Sequence, residues 1–486
     1  MMDGEVLAIL LLIAHGVLVI LAAVVVSANR RPSAAIAWLL AVVFLPVLAL
    51  IAFLLVGSTT LPPRRRADQA FVTARMRERV PSLAAVGHRD EWPDWLPGIV
   101  AMTERLGALP MVGGNTVDLI EDYVGSFDAM IAEIDRAQRF VHVEFYILVL
   151  DDTTRPFFDA LARAAERGVD VRVLSDHLAG FMNPGRKATM RFLVAHRIHW
   201  HGMLPLRPLR GQWQRPDLRN HRKLVVVDGL VGFTGSQNLV DASYNKHKNV
   251  SRGLHWLELM VRIDGPAVRE LDAVFVTDWF SESRELLPID ETPVTLGGAA
   301  DGRRFDVQVL PSGPSFDAEN NLKLFAALLH KAERRISITS PYFVPEESIM
   351  LALATAAARG VEVELFASEV GDQALVYHAQ RSYYEALLRS GVRVYLYRSP
   401  TVLHSKHFSI DDDVAIIGSS NMDIRSFSLN MEVSVLVHGR EAVDRLRAVE
   451  DHYRAQSSEL SLTEWRARPV LGRIADNAAR LTSALQ

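Results

Sequence analysis

Cysteine is absent from this chain. Its absence excludes disulfides, thiolate nucleophiles and cysteine-ligated zinc, while leaving the compartment open. Lysine is scarce, with seven among 53 basic residues. Positive charge is not in excess either, since the formal net charge is −4. Binding to nucleic acid would therefore need a local basic patch rather than bulk charge. Hydrophobic content of 49% and charged content of 23% are near the globular average. The length of 486 residues allows two to four domains.

The apolar residues are unevenly spread. Val6 to Val26 is an apolar run of 21 residues broken only by His15 and Gly16, and a second run goes from Ala34 to Val56. Each is long enough to cross a hydrocarbon core of about 30 Å as a helix. A cleaved signal peptide is the alternative for the first run, but the start Met1-Met2-Asp3-Gly4-Glu5 is acidic and a second run follows closely. Two transmembrane helices are expected within residues 1–60, the second kinked mildly at Pro46, with Trp38 as an interfacial anchor. Arg30 and Arg31 lie between the runs; Arg64, Arg65, Arg66 and Arg75 follow the second, balanced only by Asp68. Positive-inside counting then puts the rest of the chain on the cytoplasmic side. Residues 61–100, rich in Pro, Arg and Trp, read as a surface connector.

Beyond the connector the chain reads as an internal duplication. Arg139-Phe-Val-His-Val-Glu-Phe-Tyr-Ile-Leu148 has the composition of a buried strand, and a helix-period segment leads from it to Arg167-Gly168 and a second strand. Arg335-Ile-Ser-Ile-Thr, an alanine-rich helix from Ser348, and Arg359-Gly360-Val-Glu-Val repeat the order. Glycine suits the left-handed position that ends a helix. Strand, helix, Arg-Gly and strand form a βαβ unit with parallel strands. Each half closes on a helical segment, from Gly265 to Trp279 and from Glu441 to Tyr453. The expected fold class is α/β, with lobes at 101–295 and 296–486 related by a pseudo-two-fold axis. The junction is expected near Glu291 to Gly302, where Thr, Pro and Gly collect.

One pattern occurs twice, 183 residues apart. His221-x-Lys223-x4-Asp228 recurs as His404-x-Lys406-x4-Asp411, and each copy is followed by Gly-Ser-x-Asn: Gly235, Ser236, Asn238 and Gly418, Ser419, Asn421. One chance match to such a motif has odds of roughly a per cent or two; a second in the same register makes coincidence a poor explanation. The valines after Lys223 argue for a strand, on which residues i and i+2 share a face, so each histidine should project with its lysine. Two lobes meeting on a pseudo-dyad would then supply two imidazoles and two ammonium groups to one pocket.

That set suits phosphoryl chemistry on a diester. Lys223, Lys406, Asn238 and Asn421, with Ser236 and Ser419, are candidates for holding the phosphate oxygens. One neutral imidazole would attack phosphorus, and the other, protonated, would give its proton to the leaving alcohol. No metal or cofactor is expected, because lysine is not a usual ligand and the set lacks the carboxylates and cysteines that hold Mg²⁺ or Zn²⁺. Asp228 and Asp411 complete the candidate catalytic set, although at strand ends they suit a turn better than a substrate. A histidine in this role needs an acceptor behind its far nitrogen. Glu258 and Glu432, acids on apolar strand-like segments, are the candidates to orient the two histidines, since a buried carboxylate is costly unless paired.

These residues resemble the phospholipase D superfamily, whose signature is the duplicated His-Lys-Asp motif with its Gly-Ser-x-Asn tail. Within it the chain is similar to the bacterial cardiolipin synthases. The likeness rests on two N-terminal apolar runs, Glu144-Phe-Tyr146, Asn220 to Gly229, Arg262-Ile-Asp-Gly-Pro-Ala-Val268, Ser340-Pro-Tyr-Phe-Val-Pro345, Arg381-Ser-Tyr-Tyr384 and Ser420 to Phe427. The resemblance implies two phospholipase D-like lobes, mixed sheets flanked by helices, in a multi-pass protein of the bacterial cell membrane. Its partners would be membrane phospholipids and the bilayer, with no nucleic acid. The implied reaction transfers a phosphatidyl group from one phosphatidylglycerol to another, releasing glycerol, with His221 the family's usual nucleophile. A hydrolase, or a transferase using another alcohol, would carry the same motifs. The first half departs from the family in having Gly235-Ser-Gln-Asn238 where Gly-Gly-x-Asn is usual.

One stretch has no counterpart in the second half. Arg207, Arg210, Trp213, Arg215 and Arg219 stand among prolines on a longer path to the first motif. Arginine interleaved with tryptophan suits a surface of anionic headgroups, and a loop leaning on the membrane is expected there.

Overall fold

The computed structural model describes residues 4–27, 32–57, 60–79, 89–207, 209, 212, 214–288, 304–316 and 319–482. The expected junction at Glu291 to Gly302 lies outside the described residues, as do Arg210 and Trp213.

The first half contributes β1 (Val112–Ile120), β2 (Phe140–Phe145), β3 (Asp170–Asp176), β4 (His199–Met203), β5 (Arg219–Asn220), β6 (Lys223–Val227), β7 (Val231–Gly235), β8 (His255–Leu257) and β9 (Met260–Asp264). The second contributes β10 (Phe305–Ser312), β11 (Arg335–Thr339), β12 (Glu362–Ser368), β13 (Arg393–Tyr397), β14 (Thr401–Leu403), β15 (His407–Ile410), β16 (Val414–Gly418), β17 (Asn430–His438) and β18 (Ser457–Glu459). Fifteen of these form one path in the order β4-β3-β2-β6-β7-β9-β1-β10-β17-β16-β15-β11-β12-β13-β18. Read outward from the antiparallel β1–β10 pair, the two sides repeat the same succession, and β18 adds an edge strand to the second. The duplication is thus a mixed α/β architecture of two like lobes, and the pseudo-dyad passes between β1 and β10. The two sheets expected from the sequence are joined into one.

The βαβ units form as expected. β2 pairs parallel with β3 across the helix Arg155–Glu166, and β11 with β12 across Glu347–Ala358. Gly168 at φ 86° and Gly360 at φ 88° end the two helices in the left-handed region. The closing helices Ala267–Ser283 and Arg440–Ala455 lie over the middle of the sheet. Leu271, Phe275 and Trp279 from one, and Val443, Leu446 and Val449 from the other, join Val261, Val307 and Val435 in a single buried cluster. The lobes therefore share a core.

At the N-terminus, α1 (Gly4–Ser27) contains the stretch Ala8–Val26, long and apolar enough to cross a membrane. The second run differs from expectation. It forms α2 (Pro32–Phe44) and α3 (Pro46–Val56), broken at Leu45 with φ −137° and ψ 62°. Proline lacks an N–H and disfavours helical geometry in the residue before it, so the mild kink expected at Pro46 is a break. With 13 and 11 residues, neither piece spans by itself, and among the described residues α1 alone has the required length.

The expected surface connector is largely packed structure. Arg65 in α4 (Pro63–Arg79) makes two hydrogen bonds of 2.7 and 3.0 Å to Glu282, the Phe71 ring lies tilted 6.0 Å from that of Phe280, and Val72 is fully buried. The next helix, Leu96–Arg105, buries Leu96, Ile99 and Val100 against Leu324 and Leu328 of the second half. The described parts of the segment read as a surface connector therefore pack against both lobes.

Candidate active site

The two motif histidines are positioned by strands exchanged between the lobes. β5 pairs parallel with β17, Arg219 opposite Asn430 and Asn220 opposite Met431, and the His221 N–H donates to the Met431 carbonyl at 2.8 Å. β14 pairs parallel with β8, Leu403 opposite Leu257, and the His404 N–H donates to the Leu257 carbonyl at 2.8 Å. The sequence placed each histidine and lysine on one strand. In the structure β6 begins at Lys223 and β15 at His407, after Lys406. Cross-lobe pairing, rather than strand alternation, sets the direction of the imidazoles.

Because the strands cross, so do the carboxylates. The Nδ1 of His221 lies 2.9 and 3.0 Å from the oxygens of Glu432, and the Nδ1 of His404 lies 2.8 and 2.9 Å from those of Glu258. A carboxylate only accepts, so each Nδ1 carries the proton and Nε2 is the nitrogen open to a substrate. Both glutamates are buried. Burial alone would raise their pKa values, but the facing histidine and the nearby lysine hold them below the ordinary carboxylate range. Burial pushes His221 down to about 4 against the opposing pull of Glu432, with Lys223 and Lys406 adding to the fall. His404 is lowered for the same reason, against Glu258.

Each lysine donates its ammonium to the backbone carbonyl of its own histidine. Lys406 Nζ also lies 3.0 and 3.3 Å from the His404 ring nitrogens, while Lys223 sits over the Tyr146 ring. Burial lowers Lys223 to about 7 and Lys406 to about 8, with the two glutamates pulling the other way. An ammonium has three donors, so each keeps capacity for a phosphate oxygen after its carbonyl bond.

The tail residues divide. Asn238 and Asn421 line the cavity described below; Asn238 donates to the Tyr244 hydroxyl at 2.9 Å and Asn421 to Asp423 at 3.0 Å. Ser236 and Ser419, expected to touch substrate, are not in its wall. Ser419 donates to Glu432 at 2.5 Å and accepts from the Val433 N–H, and Ser236 accepts from the Leu259 N–H at 2.9 Å. They hold the glutamate strands. The glycine before each serine is required sterically: a Cβ on Gly235 would meet the Leu259 carbonyl at 2.4 Å, and one on Gly418 the Val433 carbonyl at 2.4 Å.

Asp228 and Asp411 lie at the far ends of β6 and β15, five residues or about 17 Å of strand from the lysines. Each takes positive φ, 53° and 48°, and each accepts three backbone N–H groups: Gln138, Arg139 and Phe140 for Asp228, Glu333, Arg334 and Arg335 for Asp411. They pin the starts of β2 and β11 and do not reach the cavity.

Both imidazoles open into one cavity of about 620 Å³. Tyr146 meets His221 edge-on at 5.1 Å, and Tyr342 meets His404 at 5.9 Å. Arg219, expected on a membrane-leaning loop, is instead buried in this wall, and Arg215 is paired with Asp217 at 2.5 Å. The loop expectation fails for Arg219 because it belongs to exchanged strand β5.

A family profile described as "Cardiolipin synthase, PLD-like domain" matches residues 130–279 and again 325–452, one match per lobe. The chain is 31% identical to the cardiolipin synthase of Geobacillus kaustophilus (strain HTA426) over 99% of its own length and 95% of that protein. The chain belongs to the cardiolipin synthase family of phospholipase D-like proteins. Cardiolipin synthase A of Pseudomonas putida (strain GB-1) is 32% identical, over 94% of this chain and 93% of that one. A profile described as "Phospholipase_D-nuclease N-terminal" covers residues 17–58. Among solved structures, phosphatidylserine synthase from Haemophilus influenzae shares the fold at a TM-score of 0.60 and 14% identity, covering 79% of this chain and 99% of that one.

The family frame also sets off what sequence reasoning missed. Tyr146 and Tyr342 lay within quoted motifs without an assigned role. Tyr244, which donates to Glu258 at 3.2 Å, and Trp256, in the wall, carried no repeated signal. Asp176, which receives Arg219 at 3.2 Å, sits at the end of β3, where no motif marks it.

Proposed function

We propose that this chain transfers a phosphatidyl group between two phosphatidylglycerol molecules, giving cardiolipin and glycerol through a phosphohistidine intermediate. The observation that carries this reading is the meeting of His221 and His404 in one cavity, each backed at Nδ1 by a buried carboxylate. One neutral imidazole attacks phosphorus through Nε2, and the departing glycerol oxygen takes the Nε2 proton of the other, which enters the step as imidazolium. A primary hydroxyl of the second lipid then gives its proton to that imidazole and forms the new O–P bond as the N–P bond breaks. The lysine ammoniums and the Asn238 and Asn421 amides stabilise the phosphoryl oxygens as charge accumulates. Glu258 and Glu432, held by Ser236 and Ser419, are positioning residues, and Asp228 and Asp411 serve the fold.

The membrane setting follows the same reading. α1 and the broken α2–α3 unit are two crossings of a bacterial cytoplasmic membrane, with the lobes on the cytoplasmic side. The Arg-rich start of α4 and the profile match over 17–58 support it.

The test is incubation of the purified full chain with phosphatidylglycerol vesicles, measuring lipids and free glycerol together. Cardiolipin and glycerol should appear in equal amounts, and His221→Ala and His404→Ala should each lower turnover about 10⁴-fold. Phosphatidic acid without cardiolipin would overturn the transfer reading in favour of hydrolysis.

A further inference from the structure

The motif residues repeat across the pseudo-dyad at a constant offset of 183 positions, but three cations of the cavity wall, Arg219, Arg425 and the exposed Lys246, do not. At that offset Arg219 corresponds to Val402 and Arg425 to Ala242. Arg219 and Arg425 stand together in the wall, both close enough to the Tyr146 hydroxyl to act on it electrostatically. Val402, at the position matching Arg219, packs instead with Val240, Tyr244 and Trp256 in an apolar cluster.

Arg219 is 5% exposed. Its Nη1 lies 3.2 and 3.4 Å from the oxygens of Asp176, while its buried Nε and Nη2 have no partner among the described residues. Asp176 is itself saturated, accepting the N–H groups of Leu178, Ala179 and Asn220, so it fixes the guanidinium in place. Arg425 is half-buried and spends one Nη2 bond on the Asp217 carbonyl at 2.8 Å. The nearby acid Asp423 is committed to Asn421 and the Ser426 N–H. A buried guanidinium with unpartnered donors is costly unless a ligand supplies acceptors. The planar fork of arginine matches a phosphate in geometry as well as charge. The histidines, lysines and asparagines already account for one phosphorus, so these arginines mark a second anion position.

The geometry points to a second phosphate subsite, formed by Arg219 and Arg425, that holds the acceptor's own phosphodiester while its glycerol hydroxyl attacks the phosphohistidine. It rests on the phosphatidyl-transfer reading above and deepens it by naming what selects the acceptor. The step is balanced: the acceptor O–H proton passes to the imidazole not carrying the phosphoryl group, the O–P bond forms and the N–P bond breaks. Water and simple alcohols gain nothing from the subsite, whereas an alcohol bearing a phosphate is concentrated and aligned.

The experiment uses the full chain with phosphatidylglycerol vesicles as donor and two isotope-labelled soluble acceptors, glycerol and glycerol phosphate, which differ by the phosphate, and reads the label that enters lipid. The wild type should use glycerol phosphate with kcat/KM about tenfold or more above glycerol. Arg425→Gln and Arg219→Gln should bring that ratio toward one, chiefly by raising KM for the phosphorylated acceptor. Arg425→Gln removes a half-buried group and leaves no buried carboxylate unpaired, so it carries the test should Arg219→Gln fail to fold. A wild-type ratio near one, or an unchanged ratio in folded Arg425→Gln, overturns the subsite while leaving phosphatidyl transfer standing. If the wild type releases phosphatidic acid alone with both acceptors, phosphatidyl transfer itself is overturned and the acceptor subsite with it.

Discussion

His221 is held by Glu432, a residue of the opposite lobe, and His404 by Glu258 in the mirror arrangement. Glu432→Gln keeps the shape but gives up the charge behind Nδ1, so kcat should fall about 10–100-fold while the fold survives. Histidine ¹⁵N NMR checks the crossing. Glu432→Gln should move the His221 resonances and spare His404, and Glu258→Gln should do the reverse. Perturbation of the histidine in the same lobe would contradict the crossed arrangement.

The pH profile should be displaced to low pH. Burial holds His221 at about 4, so its imidazole is neutral, and able to attack, well below the ordinary histidine range. Lys223 and Lys406 are depressed to about 7 and about 8, so their charge is present below those values and lost as pH rises through them. Measured as kcat/KM, activity should persist at about pH 5.5 and decline on the alkaline side by about 7 to 8, as first the general-acid imidazole, itself lowered by burial, and then the ammonium groups lose their protons. A plateau reaching beyond about pH 9 would show that the ammonium groups are not needed in charged form.

Asp411→Ala should act on stability. The substitution strands three backbone N–H groups and puts alanine at φ 48°, where a side chain is strained. A loss of about 3 kcal/mol is expected, read as a lowered Tm. Turnover per folded molecule should stay near wild type, because Asp411 faces away from the cavity; its collapse would return the residue to the chemistry.

Gly418→Ala should damage both quantities together. Its Cβ would meet the Val433 carbonyl at 2.4 Å and force β16 from β17. Ser419 would lose its bond to Glu432, and His221 its fixed carboxylate. Circular dichroism melts and turnover on one preparation should fall in step, and Gly235→Ala should repeat the effect beside Leu259.

The duplication was legible because it is written in local signals: buried strands, Arg-Gly helix ends and a motif repeated in register. The candidate set His221, Lys223, His404, Lys406, Glu258 and Glu432 could likewise be named from residue type and spacing. Which glutamate serves which histidine could not, because the answer depends on two strands of two and three residues that exist only by pairing across lobes. Arg219 was misread for the same reason, as a loop residue by its proline neighbours when β17 draws it inward. The serines looked like ligands because Gly-Ser-x-Asn does not reveal which side chain turns to the adjacent strand. Pro46 was seen, but the extent of its effect on the second apolar run was not.

The strips exchanged as β5 with β17 and β14 with β8 have a further effect. A solitary lobe would present an imidazole with nothing at its back and a carboxylate with nothing to grip. Reactivity toward phosphorus therefore switches on only once the second half has closed over the first, so a nascent or proteolysed fragment is chemically silent toward the lipids around it.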